Sequence, residues 1–294
     1  MTEPKKEDNF KFQIIYLVPI LASLIFGLGC AYLIAPHQAE LIPQSTPISA
    51  DTPGAPIING LYFVILLAIS ATMFYILLKR KSRKIIKALI VVAMTTASIL
   101  LSLVYLLALF ANFPSWAIYL VIALSIVLTA LFDLAIFRFG GVARNVAVIC
   151  VGGALGIFFG SSILQFGGLY SVILILAFLA VYDVFAVYRG PVGKIAQSSD
   201  FDELQGLSFS FKDIQMGLGD LVFYSMLIGA MFFNFIGSPW GVLPSLISII
   251  GILAGSIITF FMLEKKGIFP GLPFPIMLGL AGGLIVGFLI LPLL

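Results

Sequence analysis

Read for its alternation of apolar and polar positions, the chain of 294 residues divides into long apolar runs with short breaks between them. The runs fall at about 12–35, 58–78, 85–110, 115–137, 145–163, 167–188, 217–236, 240–263 and 272–293. Each approaches the twenty or so residues that a helix needs to cross a bilayer. Turn chemistry parts the close neighbours: NFPS at Asn112–Ser115, QFGG at Gln165–Gly168 and GSPWG at Gly237–Gly241. The thinnest break separates the fifth run from the sixth. Only two connections are long. Residues 36–57 carry Pro36, Pro43, Pro47, Pro53 and Pro56 among Ser and Thr and read as an irregular exposed loop. Residues 190–216 form the other. The pattern predicts an all-α polytopic membrane protein, nine transmembrane helices in a single membrane-embedded domain over 1–294.

Charge orients that pattern. All 16 Lys and Arg fall in the N-terminal segment (Lys5, Lys6, Lys11), the second connection (Lys79 to Lys87), the fourth (Arg138, Arg144), the sixth (Arg189, Lys194, Lys212) and the eighth (Lys265, Lys266). The odd-numbered connections have none. Under the positive-inside rule the N-terminus is cytosolic and the C-terminus outside. Residues 36–57 then lie outside, and residues 190–216 in the cytosol. Lys5, Lys6 and Lys11 before FGLGC also have the outline of a lipoprotein signal. Gly27 stands where that signal wants an aliphatic residue, so the run is read as a retained first helix. The basic cluster Lys79–Lys87 could recruit anionic lipid, but its simpler role is to set topology.

Composition narrows the chemistry. The chain is 61% hydrophobic and 10% charged, where a soluble domain is about a quarter charged; it reads as an integral multi-pass membrane protein, of the cell membrane if the chain is microbial. One histidine, His37, and two cysteines, Cys30 and Cys150, cannot assemble a His/Cys zinc site or a disulfide framework. No cofactor, metal or nucleic acid is expected. Serine catalysis through FGSS (Phe159–Ser162) fails because His37 belongs to the outside loop. Glycines at four-residue spacing, Gly152/Gly156/Gly160 and Gly279/Gly283/Gly287, read as seams of close helix packing.

Three acidic residues fall inside predicted spans: Asp133, Asp183 and Asp220. Such groups are costly in lipid and mark function. Asp133 is near the cytosolic end of the fourth span with Arg138 close by, and is expected to snorkel or pair there. Asp183 precedes Arg189 by six residues, roughly 9 Å of helix, and Asp220 follows Asp213 by seven, about 10 Å. Consecutive antiparallel helices thus bring two carboxylates to one depth. Ala177, Ala180 and Ala186 on one side and Gly217 and Gly219 on the other allow close approach. Like charges at short range cannot both ionise, so one carboxyl keeps its proton while the other acts as base. A base that activates water, beside an acid that hydrogen-bonds a peptide carbonyl, is the apparatus of aspartyl proteolysis. On spacing alone, an ion or proton path using the same aspartates stays open.

The residues then match a known family. YD (Tyr182, Asp183), GLGD (Gly217, Leu218, Gly219, Asp220) and the segment KKGIFPGLPFPIMLG, with Pro270, Gly271, Leu272 and Pro273, resemble in order the three motifs of presenilins and signal peptide peptidases. The specific part covers about 110 residues from Tyr182 onward. The resemblance implies an intramembrane aspartyl protease with Asp183 and Asp220 as catalytic dyad, and Tyr182, Gly217, Leu218, Gly219, Pro270, Gly271 and Leu272 as substrate-binding or supporting residues. It implies substrates that are transmembrane helices taken from the bilayer, and the small size suggests an archaeal homologue. Gly271 departs from the family's alanine, and the connection before Gly217 is shorter than in animal presenilins. Self-cleavage and obligatory partner subunits are therefore not carried over, and a homo-oligomer stays open. Prepilin-type peptidases also use GxGD, but they share a lysine two residues after the aspartate, where this chain has Val222, and lack the Pro-Gly-Leu segment. A transporter would show inverted repeats, which an odd number of unlike spans does not.

Finally, LSFSF (Leu207–Phe211) alternates with period two, the mark of a half-buried strand. It is expected to pair with an extended substrate, as the resemblance also implies, unless its three apolar residues fall in a surface loop by chance.

Overall fold

The computed structural model describes residues 12–43, 46–80, 82–188, 208–211 and 214–293. The basic N-terminal segment, Leu207 and most of the 190–216 connection lie outside the described residues. The elements in order are α1 (Val18–Ile34), α2 (Ala55–Lys79), α3 (Arg83–Leu109), α4 (Ala117–Leu134), α5 (Gly141–Tyr188), β1 (Ser208–Phe211), β2 (Ile214–Gly217), α6 (Leu218–Phe235), α7 (Leu243–Lys266) and α8 (Pro273–Ile285). Short helical turns extend α1 at both ends, and a π-helical turn follows α4 and α8. Among the described residues, eight helices are long and apolar enough to cross a membrane. The chain is an integral multi-pass membrane protein.

The eighth-versus-ninth question turns on α5, whose 48 residues would make a rod of about 72 Å if straight, more than twice the hydrocarbon thickness. It is not straight. Gly168 has φ 73° and ψ 169°, a backbone conformation closed to residues with a Cβ. Two arms result, 141–167 and 169–188. Gly152 on the first arm lies against Leu218 and Leu221 at the start of α6. Asp183 on the second arm meets Leu272, whose neighbour Gly271 touches Asp220, also at the start of α6. Residues 31 positions apart reach one end of α6 only because the chain folds back at Gly168.

Backbone groups freed by such a turn need partners in lipid. The loop after α1 supplies them. Ala50 N–H donates to the Phe166 carbonyl at 2.8 Å, and Ser162 Oγ donates to the Pro43 carbonyl. Ser171 Oγ donates to Gly167. Asn59, fully buried at the start of α2, receives Ile48 N–H at 3.2 Å, donates to the Ile48 carbonyl at 2.9 Å and reaches Ser171 Oγ at 3.2 Å. Pro43, Ile48 and Ala50 are thereby clamped over the turn, and a short helical stretch at Gln38–Leu41 precedes them.

The core gathers around α6, which is buried along most of its length. The first arm of α5 runs parallel to it, Gly152 beside Leu221, Gly156 beside Val222 and Ser225, Gly160 beside Met226 and Ala230. A Cβ at Gly156 or Gly160 would overlap the α6 backbone. Gly279 and Gly283 sit between two helices, against the side chains of Leu227 and Met231 of α6 and against Ile252 and Ser248 of α7, and Gly287 faces the Phe235 ring of α6. Both four-residue glycine series are packing seams, the first on α6 and the second on α6 and α7.

Asp133 departs from expectation. Its carboxylate accepts a hydrogen bond from Thr95 Oγ1 on α3 at 2.7 Å. Arg144, on the next helix, donates to the Ile136 carbonyl at 3.1 Å, inside the π-helical turn that also carries Arg138. The widened turn leaves a carbonyl free, and a long cationic side chain takes it.

Candidate active site

Three chain segments meet at one end of the molecule: the last turns of α5, the first turn of α6, and the bend that leads into α8. Proline explains the last. Pro273 begins α8 and Pro270 stands three residues before it, so the intervening Gly271 and Leu272 cannot continue a helix from either side. Their backbone groups stay available, and both are used. Leu272 N–H donates to Asp183 Oδ2 at 2.9 Å. The Gly271 carbonyl accepts from Tyr224 Oη at 2.8 Å. Gly271 also borders Asp220: a Cβ built on it would stand 3.2 Å from Oδ2 and 3.3 Å from Oδ1. Both carboxylates are half-buried at this junction.

The other predicted residues divide. Leu218, Pro270 and Leu272 are buried and wall the junction. Gly217 is extended, φ −73° and ψ 144°, because it is the last residue of β2 as well as the N-cap of α6; a Cβ there would come within 4.0 Å of Asp220 Oδ2. Gly219 is turned outward, where a Cβ would meet only the ring of Phe223 at 3.8 Å. Tyr182 is half-buried beside Asp183. Phe269 and Phe274 stack across the bend at 5.8 Å, and Lys266 Nζ lies 5.5 Å over Phe269, so the basic end of α7 shares the depth of the two aspartates.

Two features were not read from the sequence. One is Tyr224, which ties α6 to the bend. It follows Asp220 by four residues, so the same face of the helix carries both, and that spacing was the available signal. The other is β2. β1 does form, over Ser208–Phe211, but it pairs antiparallel with Ile214–Gly217: Ser208 with Gly217, Phe209 with Met216, Ser210 with Gln215 and Phe211 with Ile214. The hairpin runs without a gap into the helix that bears Asp220. Among the described residues no three of His, Cys, Asp and Glu come together, and no residue is assigned to a metal.

The arrangement brings two carboxylates to one bend, Asp183 on the Leu272 amide and Asp220 beside Gly271, with a strand ending three residues before Asp220.

The fold is that of presenilin-family intramembrane aspartate proteases. One solved structure described in those words, in space group C222, is 21% identical, with a TM-score of 0.64 over 94% of this chain and 98% of its own. A second, in space group P2, is 22% identical, with a TM-score of 0.60 over 92% and 96%. No family model and no curated protein matches the chain.

Proposed function

We propose that this protein is an intramembrane aspartyl endopeptidase that hydrolyses peptide bonds within transmembrane helices, with Asp183 and Asp220 as its dyad. The observation that carries the reading is the convergence of both carboxylates on one two-residue segment, Gly271–Leu272. The likeness in fold to proteases of that description, along nearly the whole of both chains, supports it. Counting each arm of α5 as one span gives nine, with the N-terminus in the cytosol and the dyad near the cytosolic face, in keeping with the Lys265–Lys266 end of α7.

In this mechanism the two acids share one proton. The ionised carboxylate takes a proton from the bound water as its oxygen attacks the scissile carbonyl. The protonated one hydrogen-bonds the carbonyl oxygen and then supplies the proton that the amide nitrogen needs to leave. Leu272 N–H fixes the Asp183 carboxylate, so the pair does not reorganise during the attack. A helical substrate must unwind first, and each unpaired backbone group in hydrocarbon is costly. Each strand of a two-stranded sheet keeps one free edge, so the hairpin can take the unwound segment as a third strand.

The test is incubation of the purified protein in liposomes with a panel of single-span helices, products mapped by mass spectrometry. Cleavage inside the span by the wild type, lost in both Asp183→Ala and Asp220→Ala while each variant stays folded, is the expected result. Cleavage by either variant overturns the reading.

A further inference from the structure

Away from the dyad, α1, α3, α4 and the first arm of α5 surround a cavity of about 370 Å³. Its walls include Gly29 and Cys30 of α1, Ser98, Ser102 and Tyr105 of α3, and Cys150 of α5. Phe26 and Leu109, 41% and 54% exposed, stand at its rim on the lipid-facing side. No lining residue carries a charge.

What can fill it follows from counting. At about 30 Å³ per molecule, water would enter as a cluster of roughly twelve, each needing two to four polar partners. The wall cannot supply them. Tyr105 Oη already donates to the Ala154 carbonyl at 2.8 Å and is paired with the Cys30 thiol, which leaves two serine hydroxyls and the Cys150 thiol among aliphatic and aromatic groups. An empty space of this size forfeits the dispersion contacts of the whole lining. Hydrocarbon, the solvent at the rim, has neither problem. Yet Ser98 and Ser102, 1% and 4% exposed, have hydroxyls with no hydrogen-bond partner. Buried hydroxyls are normally paired, so a plain alkane leaves the site incomplete.

We infer that this cavity is a binding site for a neutral membrane-dissolved lipid, a hydrocarbon body bearing one hydroxyl or carbonyl group that meets Ser98 and Ser102. A charged headgroup is excluded by the uncharged lining. Occupancy braces the first arm of α5, because Val151 and Ala154 face the cavity while Gly152 and Gly156 on the opposite side hold α6.

The chain supplies its own reporters, since Cys30 and Cys150 are its only cysteines and both line the cavity. Their alkylation by N-ethylmaleimide is followed by mass spectrometry on the full-length protein in liposomes, with n-dodecanol, n-dodecane or dodecyl phosphate added. Dodecanol near ten times its dissociation constant should slow alkylation about tenfold, dodecane less, and dodecyl phosphate not at all. The double variant Ser98→Ala, Ser102→Ala should respond equally to dodecanol and dodecane. Gly29→Leu fills the space, since a Cβ at Gly29 meets nothing within 4 Å, and should respond to none. Thermal unfolding gives a reading independent of thiol reactivity: dodecanol should raise the midpoint of the wild type and leave that of Gly29→Leu unmoved. If dodecanol changes neither alkylation nor midpoint in the wild type, or changes both equally in Gly29→Leu, there is no such site.

Discussion

At Gly168 and at Asp183, the two ends of the second arm of α5, the chain meets the same difficulty in opposite ways. At the Gly168 end the helix is broken inside the bilayer, and side chains and loop backbone close over the break: Ala50 on Phe166, Ser171 on Gly167, Asn59 on Ile48. At the Asp183 end the polar groups are held open. One backbone amide fixes Asp183, one tyrosine fixes the bend, and a strand edge stands beside them. A membrane protein satisfies its buried polar groups where it needs rigidity, and leaves a few poised where water and substrate must enter. The comparison predicts that damage at the first end is read as lost stability, and damage at the second as lost rate.

The largest effect belongs to the carboxylates. Asp183→Ala or Asp220→Ala should bring cleavage to background while the purified protein keeps its thermal midpoint, since removing an intramembrane charge relieves an insertion cost. In the wild type, the rate should fall at low pH, when the base is protonated, and at high pH, when the shared proton is lost. Both limbs belong to the pair. A flat profile across the neutral range argues against a shared proton.

Tyr224→Phe comes next. The hydroxyl holds the Gly271 carbonyl, and through it the amide that meets Asp183. Loosening that bend by a fraction of an ångström should lower kcat by about tenfold to a hundredfold, with KM and thermal midpoint little changed. Wild-type kcat in this variant would show that the bend holds its place without the tyrosine.

The hairpin can be probed edge by edge. A two-residue connection closes on a hydrogen-bonded pair, here Phe211 with Ile214. By the antiparallel alternation, Ser210 and Gln215 turn their N–H groups away from the partner strand. Proline at either position therefore removes an outward donor and spares the hairpin. β1 also packs against α5, while β2 contacts α6, the helix it leads into, which favours β2 as the more open edge. Gln215→Pro should cost about tenfold in turnover, and Ser210→Pro less. The reverse order would assign substrate to β1, and no loss in either would remove the sheet from the mechanism.

At the closed end, Asn59→Ala strands the N–H and carbonyl of Ile48 and takes one donor from Ser171 Oγ. A loss of about 1–3 kcal/mol is expected, seen as a lower thermal midpoint with kcat per folded molecule unchanged. A fall in kcat at constant stability would contradict the division between the two ends.

How much of this was legible in the sequence depended on whether the information was local. Helix rise turns residue counts into depth, so the common level of Asp183 and Asp220 could be worked out from Arg189 and Asp213. QFGG marked the reversal that Gly168 makes, although not that helix would resume after a single residue. Period two marked β1, whereas in IQMG the alternation lasts only three residues and runs straight into the apolar pattern of the helix behind it, so β2 was missed. Asp133 was read against Arg138, its nearest cation along the chain, but the hydrogen bond it accepts comes from Thr95 on a neighbouring helix. Partners supplied by packing, Thr95 for Asp133 and Leu272 for Asp183, leave no mark at short range.

The smallest predicted effect tests the one motif position where this chain departs from the resemblance. At Gly271 an added Cβ would stand 3.2 Å and 3.3 Å from the two Asp220 oxygens, closer than ordinary van der Waals contact. Gly271→Ala therefore requires the carboxylate to tilt or the bend to withdraw by a few tenths of an ångström. A tilt off the preferred rotamer costs about 0.5–1.5 kcal/mol, or about twofold to tenfold in rate if the displaced geometry is the reactive one. The bend cannot withdraw freely, because Tyr224 holds its carbonyl and Asp183 its next amide. The loss should accordingly shrink when Tyr224→Phe is combined with Gly271→Ala, since the loosened bend can then yield. Two independent losses that simply multiply would mean that the glycine and the tyrosine do not act on the same segment.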